Sequence, residues 1–181
     1  MTADSVHLRP LQEMDLERIR TWRNHPEVRR FMYTQHAISA DEHHGWFQRA
    51  RNDPDRHLMI VERQFCDAAS EPFGFVNLHV VDTHARRAVW GFYLAPEAPR
   101  GSGRALGEAA LVHAFATLKL HKLCGEALAS NDRSIRFHQR LGFEQEARLR
   151  DHHFDGRTYH DVIGFGLLAA DWQPRQGATT P

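Results

Sequence analysis

Pro99-Arg100-Gly101-Ser102-Gly103-Arg104-Ala105-Leu106 joins a short apolar strand, Val89-Trp90-Gly91-Phe92-Tyr93-Leu94, to a helix in which Leu111, Phe115 and Leu118 recur at helical spacing. Glycines at 101 and 103 let the backbone approach a ligand closely, and the first-turn N–H groups of a helix have no intrahelical acceptor. Strand, glycine turn and helix start together form an anion cradle suited to a pyrophosphate. A Gly-Ser-Gly turn can equally be plain chain reversal. What adds weight is the wider pattern of Arg100-x-x-Gly103-x-Ala105, followed by Asn131-x-x-Ser134 and Leu141-Gly142-Phe143. The turn lacks the Gly-Lys-Ser/Thr of a P-loop and does not fit a dinucleotide fingerprint.

Outside this stretch the composition mostly excludes. At 181 residues the chain is the size of one ordinary domain, and its 23 Lys and Arg balance 23 Asp and Glu, so no basic field points to nucleic acid. No apolar run approaches the roughly 20 residues that span a bilayer. The start, Met1-Thr2-Ala3-Asp4-Ser5, lacks the basic-then-apolar layout of a signal peptide, which predicts a cytoplasmic protein without membrane attachment. Cys66 and Cys124 stand far apart and outside any Cys-x-x-Cys pair, as free thiols of a reducing compartment do. The 14 histidines include the neighbouring pairs His43-His44 and His152-His153, but no ligand spacing, so no metal is expected.

The remaining elements follow from periodicity and punctuation. Val6 to Pro10 reads as a strand, and Leu16, Ile19 and Trp22 share one side of a short helix over 15–23. Pro26 opens a further helical turn running towards Met32. Ser39-Ala40-Asp41-Glu42 is a capping box for a helix to about Arg51. Strands are expected at 57–64 and 73–81, with the polar stretch 66–71 as the turn between them. Val76, Leu78 and Val80 alternate against Asn77 and His79. After the strand at 88–94 and the helix to about Leu120 come a strand over 122–128, a helix over 132–140, and a hairpin turning at Asp155-Gly156. A single domain over 1–172 with a frayed polar tail at 173–181 is predicted. Pattern alone gives a mixed α/β domain.

The glycine-turn motif, with Asn131, Ser134 and Leu141-Gly142-Phe143 at their distances, resembles the acetyl-CoA site of the GNAT N-acetyltransferase superfamily. The order of elements is similar to that fold over nearly the whole chain. The resemblance implies an α/β GNAT fold: a mixed, mostly antiparallel sheet whose parallel fourth and fifth strands splay apart, with helices on both faces. It also implies acetyl-CoA in the splay. Arg100, Gly101, Ser102, Gly103, Arg104 and Ala105 would hold the pyrophosphate, and Asn131 and Ser134 would lie along the pantetheine arm. Backbone N–H groups of Phe92, Tyr93 and Leu94 would polarise the thioester carbonyl. Asn131 is also a favoured helix cap, and the two roles are compatible.

The acceptor must be argued from the N-terminal third. Trp22-Arg23-Asn24-His25-Pro26-Glu27-Val28-Arg29-Arg30-Phe31-Met32-Tyr33-Thr34 resembles the acceptor region of the pseudaminic acid pathway N-acetyltransferases, which act on the 4-amino group of a UDP-linked 4-amino-4,6-dideoxy sugar. Arg29 or Arg30 suits phosphates, Met32 a sugar ring or uracil, and Tyr33 offers an aromatic face with a hydroxyl. Solvated charge and core filler would equally account for these residues. Asn77 and His79 are further candidates, although a half-exposed strand face explains them too. Trp-Arg-Asn alone is shared with acetyltransferases of ribosomal protein N-termini, which stand as an alternative, as does a CoA-binding domain without activity. Partners are thus expected to be small molecules, with the chain a monomer or homodimer.

Two residues carry the expected chemistry. Glu126 interrupts an apolar strand, where burial would make its carboxylate a better base; a surface glutamate is the alternative. His138 occupies the place where the superfamily usually has a tyrosine taken to protonate the CoA thiolate. If His138 is the general acid, its pKa must be raised, because free imidazolium at about 6.5 is partly deprotonated at neutral pH.

Overall fold

A computed structural model describes residues 5–65 and 69–172. Seven strands form one sheet: β1 (Ser5–Pro10), β2 (Arg56–Gln64), β3 (Glu71–Asp82), β4 (Arg87–Leu94), β5 (Lys122–Leu128), β6 (Glu144–Phe154) and β7 (Tyr159–Leu168). Their spatial order is β1-β2-β3-β4-β5-β7-β6, and only β4 and β5 run parallel. That parallel pairing lasts for Arg87–Lys122, Ala88–Leu123 and Val89–Cys124 and then stops. Beyond it β4 keeps β3 on one side, and β5 keeps β7, but the two no longer meet. The expected splay is present.

Helices lie on both faces. On one, α1 (Leu16–Asn24), α2 (Pro26–Arg29) and α3 (Ala40–Arg51) accompany a core of Ile19, Trp22, Phe47, Leu58, Ile60 and Phe75. On the other, α4 (Ser102–Val112) packs with Leu106 and Leu111 into a larger core that takes Val76, Leu78, Trp90, Leu123 and Phe165 from the sheet, and α5 (Asp132–Arg140) packs against it through Ile135 and Phe137. The strand β3 is therefore apolar on both sides. Val76 and Leu78 face one core, and Phe75, on the side of Asn77, faces the other.

Several boundaries differ from the sequence reading. The turn opened by Pro26 is helical only to Arg29; Phe31 and Met32 then donate to Val28 and Arg29 in tighter turns, and the chain crosses to α3 without regular structure. Ser39 caps α3 through its hydroxyl, which accepts from the Glu42 N–H, but the Glu42 carboxylate turns to His36 instead of closing the box. The glycine-turn helix ends at Val112 and widens into a π-helical turn, His113–Thr117. Cys66, part of the expected turn at 66–71, and the tail at 173–181 lie outside the described residues. No helix among the described residues is long and apolar enough to cross a membrane.

Candidate active site

The splay opens into a continuous groove of about 2360 Å³ that also wraps the start and outer side of α4. This exceeds the roughly 300–1,000 Å³ of one small-molecule pocket, so there is room for a ligand in two parts. Its donor half is built from the glycine turn. Gly101 has φ +92, in the left-handed region that glycine adopts without a steric penalty, and a Cβ there would project into open space. The side chain is absent where the groove has room for a ligand. Gly103 sits in the first turn of α4, where a Cβ would meet Leu94 and Phe137 only at ordinary contact distance. Ser102 faces the other way: its residue is fully buried, and its hydroxyl has no hydrogen-bond partner. Its N–H donates to the Pro99 carbonyl.

Arg100, Gly101, Gly103, Arg104 and Ala105 line one wall of the groove, and Asn131 and Ser134 the other. Arg133 and Arg136, which the sequence reading passed over, join them. Both sit on the α5 turn after Asn131, and their spacing from that cap was the available signal. Asn131 does cap α5: its Oδ1 accepts from the Ser134 N–H at 3.1 Å. Free helix-start amides and several guanidinium groups around an open glycine turn fit the diphosphate and phosphate of a CoA molecule.

At the splay, β4 presents Trp90, Phe92, Tyr93 and Leu94 to the groove, with Glu126 opposite on β5. The Glu126 residue is exposed, not buried, which corrects the sequence expectation. Alternation along β5 turns Gly125 into the packed face and Glu126 out of it. Its Oε2 accepts a hydrogen bond of 2.6 Å from the Tyr33 hydroxyl, from a chain segment 93 residues away. Burial and the neighbouring carboxylate push the Tyr33 hydroxyl well above its ordinary pKa. Burial does the same for Tyr93.

His138 stands behind this wall, not in it. It is 1% exposed, stacked on Phe165 with ring centroids 4.5 Å apart, and edged by Trp90 and Phe143. Both ring nitrogens are engaged. Nδ1–H donates to the Ser134 carbonyl at 2.8 Å, and Nε2 accepts from Trp90 Nε1–H at 3.2 Å. Burial pushes its pKa below the ordinary histidine value, and the Ser134 hydrogen bond only partly opposes this. A general acid at neutral pH needs the reverse shift and a free nitrogen. The expectation for His138 is corrected on both counts: a neutral imidazole here ties β4, β5 and α5 together. Gly125 is part of the same knot, since a Cβ on it would lie 2.6 Å from His138 Nε2 and from Trp90 Nε1.

Of the acceptor candidates, Arg30 and Met32 line the groove, joined by His25, Glu27 and Phe31. Arg30 is held by Glu27 at 2.7 Å, and its guanidinium lies over the Phe31 ring. Tyr33 reaches the site through Glu126. Arg29 is off the groove wall. Asn77 and His79 are off it as well: His79 lies beside Arg56 at 3.2 Å and Asp53 at 3.7 Å, and Asn77 Oδ1 is buried without a partner. The half-exposed strand face suffices for His79. The fold gives no account of Asn77.

Comparison with known proteins agrees with this geometry. A family model described as an acetyltransferase (GNAT) domain matches residues 5–144. The spermidine N(1)-acetyltransferase of Vibrio cholerae is 27% identical over 93% of this chain and 95% of its own length. Acetyltransferase PseH of Campylobacter jejuni is 26% identical over 74% of this chain and 79% of its own length. The crystal structure of the Vibrio cholerae spermidine N-acetyltransferase in complex with CoA and spermine superimposes with a TM-score of 0.83, covering 92% of this chain and 97% of that one at 26% identity. With the splayed pair, the open glycine turn and the family match over most of its length, the chain belongs to the GNAT family and is an acetyl-CoA-dependent N-acetyltransferase.

Proposed function

We propose that the acceptor is the 4-amino group of a UDP-linked 4-amino-4,6-dideoxy-N-acetyl sugar. The observation that carries this reading is that the acceptor wall offers, among its described residues, a single unpaired carboxylate. Arg30 and His25 stand beside Met32 and Phe31, and of the two carboxylates, Glu27 is already ion-paired with Arg30. That leaves Glu126 alone for a cationic amine. One amine, one diphosphate and a ring with a methyl group match one unpaired carboxylate, the Arg30 guanidinium and the soft apolar contacts of Met32 and Phe31. A polyamine with three or four ammonium groups would call for more acidic partners.

Bound acetyl-CoA supplies an activated thioester. The chain's residues then have three tasks. The glycine turn and the arginines around it anchor the diphosphate, and the unpaired stretch of β4 lines the reacting end with backbone dipoles. Glu126, on the acceptor side, takes the proton that the amine must lose before its nitrogen attacks. Overall, a C–N bond replaces a C–S bond; the ammonium's first proton passes through Glu126 to solvent, and the second nitrogen proton ends on the departing sulfur.

A second reading has its own support. The Vibrio cholerae relative is named for spermidine and matches nearly the full chain, and Glu126 would serve a polyamine nitrogen as well. Incubating purified protein and acetyl-CoA with the UDP-amino sugar, with spermidine, and with peptides beginning Ser or Ala separates the readings. Thiol release with the sugar alone is expected. Robust turnover of spermidine with none of the sugar would overturn the sugar reading in favour of the polyamine.

A further inference from the structure

Tyr33 is held by a residue on the far hairpin. Its ring stacks on His153 of β6, with centroids 4.7 Å apart and planes 27° from parallel. The loop carrying Tyr33 is tied on both sides: Arg23 donates to the Thr34 carbonyl at 2.8 Å, and Asn24 exchanges two bonds with Ile38 at 2.8 and 2.9 Å. These ties fix the backbone, while His153 and Glu126 hold the Tyr33 side chain itself.

The hairpin is deformed in a way that presents His153. The β6–β7 register breaks between Leu149 and His153, a bulge that leaves Asp151 at φ +49, in the left-handed region. Asp161 stabilises that conformation by accepting from the Asp151 N–H at 3.0 Å. Bulges re-aim side chains, and a non-glycine residue at positive φ is held there by its surroundings. Behind His153 stands its cross-strand partner His160, with ring centroids 6.3 Å apart, itself fixed by Asp155 at 2.7 Å. The His153 Nε2 is buried and makes no hydrogen bond, so the ring serves here as a stacking surface.

We infer that His153 is a positioning residue for the acetyl transfer: by stacking on Tyr33 it keeps the Tyr33 hydroxyl on Oε2 of Glu126, leaving Oε1 to receive the proton of the acceptor amine. This rests on the reading of Glu126 as the base. His153 does not line the groove, and its effect passes through Tyr33.

The test compares His153→Ala, His153→Phe, Tyr33→Phe, the double variant His153→Ala/Tyr33→Phe, and Glu126→Gln, assayed with acetyl-CoA and the UDP-amino sugar, or with spermidine if that is the acceptor turned over. His153→Ala should lower kcat about tenfold, the size of effect that small misplacements of a reacting group produce, with KM for acetyl-CoA unchanged. His153→Phe, which keeps the stack, should recover most of that loss. In the Tyr33→Phe background the alanine should cost little more. The Tyr33 ring should gain side-chain mobility by NMR relaxation in His153→Ala but not in His153→Phe, a readout that needs no acceptor. Normal kcat in His153→Ala, independent losses in the double variant, or a phenylalanine as poor as alanine would each overturn the proposal. Undiminished kcat in Glu126→Gln would remove the base reading and this proposal together. An inactive Glu126→Gln beside a normal His153→Ala would remove this proposal alone.

Discussion

Replacing His138 by phenylalanine separates a structural histidine from a chemical one. The substitution keeps an aromatic ring between Phe165 and Trp90 but deletes both nitrogens. Trp90 Nε1–H would then be buried without its acceptor, a loss of about 1–3 kcal/mol. The Ser134 carbonyl loses its bond to Nδ1 but keeps its place as the helical acceptor for the residue-138 N–H, so it adds little. The phenyl edge must also fit where Gly125 leaves no room, which adds about 1 kcal/mol of overpacking. The total, about 2–4 kcal/mol, corresponds to a drop in Tm of roughly 4–16 °C for a domain of this size. Urea unfolding followed by tryptophan fluorescence measures the stability change. Steady-state kinetics well below the melting range should give a kcat within about threefold of the parent, whereas losing a true general acid costs 10²-fold or more. A folded His138→Phe protein of unchanged stability with kcat reduced a hundredfold would refute this reasoning and restore His138 as the acid.

Two further outcomes follow from other parts of the molecule. Gly103→Val should fold, because a Cβ at that position meets only ordinary contacts, yet it should weaken acetyl-CoA binding about tenfold or more by calorimetry, since its branches crowd the helix start at which the diphosphate is expected to bind. His43, His113 and His138 are all held below the ordinary histidine pKa chiefly by burial, with Arg20 adding to the effect at His43 and His57 at His113. The unfolded chain takes up protons near pH 6.5 that the folded one resists. Stability should therefore be full above about pH 6.5 and decline towards pH 5, with a slope of at most about 1.4 kcal/mol per pH unit for each histidine. A flat urea midpoint across that window would contradict the assignment.

The fold was legible because its punctuation is local. Gly101 and Gly103 between an apolar strand and a helix, Pro26 and Ser39 at helix starts, and Asp155-Gly156 in a hairpin each specify backbone geometry without reference to the rest of the chain. The donor half of the site is local in the same sense. What the sequence concealed is side-chain direction. Position 126 in an apolar strand suggests burial, and only the alternation of β5 against β7, with Gly125 turned towards His138, shows that it points outward. His138 falls at the place expected of a catalytic residue, but its shorter side chain is satisfied within the core by Trp90, 48 residues away in sequence. Tyr33, Glu126 and His153 meet across 120 residues, and the bulge that aims His153 leaves no periodicity to read.

The brief pairing of β4 with β5 gives the domain two strand edges that face inward. An outward edge is a template for any extended chain and is a standing risk for sheet-to-sheet association. Here the unpaired backbone lies between β3 and β7, strands that already occupy the outer sides of the pair. A second sheet has no approach to it, while a slender, flexible molecule can thread in from the end. The gap thus discriminates by cross-section before any side chain is consulted. It keeps hydrogen-bonding capacity unspent in the middle of a sheet, where it is shielded from other proteins and open to a linear ligand.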